Sequence, residues 1–245
     1  MKYIILLITS IILASCGSSI NTRNMSAENL YNKGLELKEE EEYLESQKMF
    51  DLIKLQYPAS QYADDAQFNL AELDFLRGKY ILAAFNYNSV RRVYPSSEHN
   101  KASLYKKALC YYKLSPPFER DQQYTHKAIS SLLEFQGTYP NDSLAQDADE
   151  KILEMRSKLA HRQFSTAELY KKLDDPKAAI VYYDIVINQY DDTEYYEDSY
   201  WGKVQSLHKM KRYDEATTII QLYERAFPDG QYTSSMTDLM SEEKK

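Results

Sequence analysis

Four histidines, two cysteines and 37 carboxylates are the groups in this 245-residue chain that could do chemistry. A metal centre or a proton-transfer pair would need them clustered. His99, His126, His161 and His208 instead fall in four separate segments, none with another His or Cys at metal-ligand spacing. The six glycines are scattered singly, so no phosphate-cradling loop exists, and no serine sits in a nucleophile elbow. Glu39-Glu40-Glu41-Glu42, the densest charge run, reads as a solvated helix end. Asp64/Asp65 and Asp191/Asp192 fall where helix N-termini favour negative charge. The pattern points away from catalysis, and neither a cofactor nor a metal site is expected. A net charge of -7 leaves no basic face for nucleic acid. What the chain has in abundance is tyrosine, 23 residues against one Trp. Tyr43, Tyr57, Tyr62, Tyr80, Tyr87 and Tyr94 crowd one region, and Tyr182, Tyr183, Tyr190, Tyr195, Tyr196 and Tyr200 another. Rigid rings with a polar tip suit both core packing and protein recognition.

The cysteines differ in setting. Cys16 follows Lys2, an apolar run from Tyr3 to Ala14 broken only by Thr9 and Ser10, and then Ser15. The run is too short for a membrane span and has the layout of a secretory signal. Leu13-Ala14-Ser15-Cys16 resembles a bacterial lipobox, which makes 1–15 a signal peptide and Cys16 an acylated N-terminus carrying lipid such as palmitate. Residues 16–25 read as a polar tether. No Asp follows Cys16, and by resemblance to lipoprotein sorting that favours the outer membrane, with the folded part in the periplasm. Cys110, in apolar surroundings at Leu109-Cys110-Tyr111, reads as a buried structural thiol.

Six Gly and seven Pro are few for so long a chain and imply helices joined by short turns, and self-similarity bears this out. Tyr57-Pro58-Ala59-Ser60 returns at Tyr94-Pro95, Tyr139-Pro140, Tyr190-Asp191 and Phe227-Pro228, at intervals of 37, 45, 51 and 37 residues. In the first, second and fourth units small, small, bulky and breaker positions recur at spacings of 12, 4 and 8: Gly34, Ser46, Phe50, Pro58; then Ala71, Ala83, Tyr87, Pro95; then Ala167, Ala179, Tyr183, Asp191. The third, Ala108, Ala128, Leu132, Pro140, carries eight extra residues between its first two markers. Small residues let two helices approach, the bulky one fills the groove, and proline ends the unit. The expected pairs are 26–40 with 43–56, 60–77 with 79–93, 98–113 with 123–138, 142–173 with 176–189, and 195–210 with 213–226. Ser60, Asp142 and Thr193 stand where the next helix would be capped. The layout resembles the tetratricopeptide repeat, predicting an all-α solenoid of five helix pairs over 26–232 (26–59, 60–96, 97–141, 142–192, 193–232) and a frayed tail over 233–245.

With its lipobox, five repeats, Tyr57-Pro58-x-Ser60-x-Tyr62-Ala63-x-x-Ala66 and a third-repeat insert, Pro116-Pro117-Phe118-Glu119-Arg120-Asp121, the chain resembles the BamD family. Those are lipoprotein subunits of the outer-membrane β-barrel assembly (BAM) machinery. The resemblance implies a non-catalytic scaffold, lipid-anchored in the outer membrane, that binds unfolded outer-membrane proteins through their C-terminal signal strands and docks a BamA-like barrel subunit. It places Tyr57, Ser60 and Tyr62 at the substrate groove, where turn and capping roles compete with binding, and Arg120 and Asp121 at the partner contact. Val181-Tyr182-Tyr183 stands where relatives carry a basic contact, so that contact is not carried over.

Two rivals share the repeat signature. One is a periplasmic scaffold coordinating cell-wall synthesis with outer-membrane constriction, a class that lacks the lipobox and the long fourth unit. The other is a glycan-capturing lipoprotein, a class of longer, Trp-rich chains.

Overall fold

The computed structural model describes residues 22–241. Among these residues there are eleven α-helices and no strand: α1 Ala27–Glu39, α2 Tyr43–Gln56, α3 Ala63–Leu76, α4 Tyr80–Val93, α5 Asn100–Leu114, α6 Gln123–Thr138, α7 Ala145–Lys172, α8 Pro176–Gln189, α9 Tyr195–Lys209, α10 Tyr213–Ala226 and α11 Thr233–Ser241. Two compact units divide between Leu70 and Ala71, within α3. In the first, α1 packs on α2. In the second, each helix from α4 to α10 packs on the next, and α11 packs on α9 and α10. This is the consecutive helix pairing of a tetratricopeptide repeat.

The small and bulky positions explain the pairing. Phe50 is fully buried on α2 with its ring over Gly34 of α1. A Cβ at residue 34 would lie 2.8 Å from that ring, a distance that side chains essentially never adopt. Ser46 fills the second small position and its hydroxyl donates to the Gly34 carbonyl at 2.7 Å. The same geometry returns in the second unit, where the Tyr87 and Tyr183 rings are fully buried and their hydroxyls donate to Glu72 and Glu168, each one residue after the small position of the preceding helix. Gly202 on α9 admits the Tyr183 ring from the other side; no side chain would fit there. Cys110 is fully buried, and that burial, with Glu72 nearby, pushes its thiol up to about 12.

Two kinds of turn join the helices. Within four pairs the chain reverses through a left-handed residue: Glu41 (φ 61°), Gly78 (φ 69°), Asp174 (φ 63°) and Lys211 (φ 59°). Between pairs the chain repeats one hydrogen-bonded form. Ser60 N–H donates to Tyr57 O, Ala63 N–H to Ser60 O, and the helix ladder opens with Ala66 N–H on Tyr62 O. Equivalent bonds follow Tyr94, Tyr139, Tyr190 and Phe227.

That turn corrects two expectations. The helices begin at Ala63, Ala145 and Tyr195, one or two residues later than the capping pattern implied, so Ser60 and Thr193 do not cap. The Ser60 hydroxyl is buried without a partner, and the Thr193 hydroxyl donates back to Tyr190 O at 2.8 Å. Asp142 alone of the three bonds forward, accepting from Leu144 N–H at 3.0 Å. Second, residues 233–241, within the stretch expected as a frayed tail, form α11. Met236 on it is fully buried, packed with Tyr200, Val204 and Tyr223. Phe227-Pro228-Asp229-Gly230-Gln231-Tyr232 repeats the aromatic-Pro-x-small-Gln-Tyr pattern of residues 57–62, and a helix follows it for the same reason.

Candidate functional site

The candidate residues fall into two groups, one in each unit. In the first unit, the turn from Tyr57 to Tyr62 carries the expected groove residues. Tyr57 is half-buried and its hydroxyl donates to the Met25 carbonyl at 2.8 Å, tying the turn to the chain just before Ser26 caps α1. The Tyr62 ring stacks on Tyr31 of α1 at 5.2 Å between centroids, and Tyr31 in turn tilts against Phe50 at 6.0 Å. Tyr31 was not singled out from sequence. Its signal is helical spacing alone, since it lies three residues before Gly34. Tyr57 and Tyr62 therefore belong to one turn but to different contacts: one holds the entry of α1, the other extends an aromatic row along it. The Ser60 hydroxyl between them is one of five buried side-chain polar atoms without a partner among the described residues.

In the second unit, the insert between α5 and α6 is held as a fixed loop. Gln122, 5% exposed, is its keystone. Its amide donates to the carbonyls of Pro117 and Arg120, each at 2.9 Å, and its oxygen accepts from Thr125 Oγ1 at 2.6 Å. Arg162, reaching across from α7, donates through Nη1 to Phe118 O at 3.3 Å and to Arg120 O. Lys158 reaches Ser115 Oγ at 2.9 Å. The polar atoms of the Gln122 side chain are all bonded, which holds the loop in place.

That loop displays the two expected contact residues. Both side chains are exposed. Asp121 also accepts from Gln123 N–H at 3.0 Å, at the first turn of α6, so part of its role is local capping. The groups that hold the loop, Gln122, Lys158 and Arg162, were not legible as functional. Lys158 and Arg162 act at sequence separations of 43 and 42 to 44 residues, where no local pattern reports them.

Electrostatics around the pairs is structural. Glu72 accepts from Tyr87 and from Lys106 at 2.5 and 2.6 Å. For Glu168, burial alone would raise its carboxyl, but the Lys171 ammonium and the Tyr183 hydroxyl outweigh it and hold the group below the ordinary value. His161 is enclosed by rings, Phe118 on one side and Tyr195 on the other. His208 meets Tyr213 edge-on at 5.4 Å. Cys16, the expected lipidation site, lies outside the described residues.

Residues 23–222 match a family described as outer membrane lipoprotein, YfiO. Among curated relatives, the chain is 26% identical over 231 residues to the outer membrane protein assembly factor BamD of Rickettsia prowazekii, covering 94% of this chain and 92% of that one. It is 24% identical over 187 residues to the protein of the same name from Caulobacter vibrioides, covering 76% and 61%. Among solved structures, a tetratricopeptide repeat protein from Parabacteroides merdae is similar over 88% of this chain and 73% of that one, at 15% identity and a TM-score of 0.39. The family match takes in both the Tyr57–Tyr62 turn and the pinned insert, and on its extent the chain belongs to the YfiO family of outer-membrane lipoproteins.

Proposed function

We propose that this chain is a non-catalytic, lipid-anchored scaffold of outer-membrane β-barrel assembly, fixed to the outer membrane through Cys16 with its helical pairs in the periplasm. The observation that carries the reading is the similarity, over 94% of the chain, to a protein named for outer-membrane protein assembly. The first-unit turn supports a substrate role. It offers the half-buried Tyr57 and Tyr62 rings to an extended strand with alternating apolar side chains. The insert supports a docking role, because a loop ordered before binding loses little entropy when a BamA-like barrel subunit meets Arg120 and Asp121.

Affinity purification of the lipidated protein from its native membrane tests this. Recovery of a stoichiometric outer-membrane barrel protein with periplasmic domains is the expected result, and peptides ending in a barrel signal strand should bind more weakly once Tyr57 and Tyr62 become Ala. Recovery of cell-wall synthases or division proteins without any barrel would replace this reading with that of a cell-wall-coordinating scaffold.

A further inference from the structure

Beside the insert, the second unit opens a cleft of about 410 Å³. One wall is aromatic. His161 on α7 packs against Phe118 of the insert with ring centroids 4.0 Å apart, and lies nearly parallel to Tyr195 at the start of α9, at 5.0 Å and 4°. All three rings are half-buried. Three exposed carboxylates edge the rest of the lining, Glu119 from the insert, Glu154 from α7 and Glu194 just before α9, together with Pro117, Ser157 and Lys158, and most of the cleft surface is apolar. Glu154 accepts the Tyr112 hydroxyl, and Glu194 accepts the Ser157 hydroxyl at 2.8 Å. Among the described residues, no lysine or arginine pairs with any of the three. The one lysine in the lining, Lys158, is turned to Ser115 Oγ.

We infer that this cleft is an acceptor for an arginine side chain presented by the protein that docks on the insert. The inference rests on the reading of the insert as a docking surface and adds the chemistry of what docks. A guanidinium is planar, stacks on aromatic faces and forks onto carboxylates, and this cleft combines those features within one side chain's reach. An acidic side chain would meet three carboxylates against one lysine. A neutral one would gain the ring contacts and none of the charge.

The probe is the tripeptide acetyl-Gly-Arg-Gly-amide, titrated against the full lipidated chain in detergent with isotope-labelled histidine. Its counterpart carries citrulline, which has the same shape without charge. The arginine peptide should move the His161 ring signals saturably, and the citrulline peptide should bind at least about fivefold more weakly. Glu154→Gln together with Glu194→Gln should weaken the arginine peptide by a similar factor while leaving the melting temperature near that of the parent. Equal binding of the two peptides, or no movement of His161 by either, would overturn the inference. Co-purification separates it from the docking reading. If the barrel partner is lost on substituting Arg120 and Asp121 but kept in the double Gln variant, the arginine acceptor is wrong and docking on the insert stands. If the partner is kept in both, the docking reading falls with it.

Discussion

Tyr87 and Tyr183 are placed where a phenylalanine would pack as well but could not bond. Each ring is fully buried, and each hydroxyl reaches a carboxylate on the preceding helix. Burial, first, and the neighbouring glutamate, second, raise both phenols well above their ordinary value of 10.0. A raised value in the folded state means that the contribution to stability is intact below pH 10.0. It is lost as the pH climbs beyond, because the unfolded chain releases the proton and the folded one resists. Replacing both residues by Phe should therefore cost about 1.5–3 kcal/mol at neutral pH for each lost hydrogen bond to a charged group. The same variant should lose less stability than the parent between neutral pH and about pH 10.5. Urea midpoints at the two pH values measure this. An unchanged alkaline slope would mean that the other tyrosines with raised values, such as Tyr200 and Tyr223, carry the effect.

At the scale of the helix, the reversals within pairs store local strain. Lys211 adopts φ 59° and Asp174 φ 63°, in the region that side chains disfavour, where the equivalent reversal at Gly78 uses glycine. Lys211→Gly should stabilise by up to about 1 kcal/mol, a rise of about 2–4 °C in melting temperature for a domain of this size. A fall would show that the unfolded-state entropy of glycine outweighs the relief. α11 gives the opposite kind of prediction. Met236→Ala should cost about 2–5 kcal/mol by opening a cavity against Tyr200, Val204 and Tyr223, whereas a truly frayed segment would show no change. These two elements also mark what could be read beforehand. Helix pairing was legible because small and bulky residues must recur wherever two helices meet, as Gly34, Ser46 and Phe50 show. α11 was equally legible in Phe227-Pro228-Asp229-Gly230-Gln231-Tyr232, but the eye follows helix pairs and this helix has no second member among the described residues. The capping of Ser60 was misread because a Ser after Pro fits both a cap and a turn, and only the backbone bonds decide between them. The hold on the insert was illegible, since Arg162 and Gln122 are ordinary surface types until the fold brings α7 beside the loop.

Across the second unit, one carboxylate joins a helix pair to the helix before it. Glu134 on α6 accepts Arg91 of α4 at 2.8 Å and Lys107 of α5 at 2.9 Å, linking three helices through one carboxylate. Burial alone would raise that carboxyl, but the two cations outweigh it and hold it below its ordinary 4.5, and Glu168 on α7 is lowered by Lys171 of its own helix and by the Tyr183 hydroxyl of α8. A lowered value in the folded state means that these pairs contribute fully above pH 4.5. Their contribution fades as the pH falls through the folded values, because the unfolded chain binds the proton first. Acid should therefore loosen the second unit by dissolving links between helices before it affects the apolar contacts inside each pair. Glu134→Gln isolates the effect. The variant should be weaker by about 1 kcal/mol or less at neutral pH, since a half-exposed carboxylate is screened by solvent, and it should lose less further stability between pH 5 and about pH 3. Chemical-denaturant midpoints followed by helical circular dichroism at both pH values provide the comparison. Parallel acid-side losses in parent and variant would place the pH dependence elsewhere and reduce the three-helix link to a surface contact.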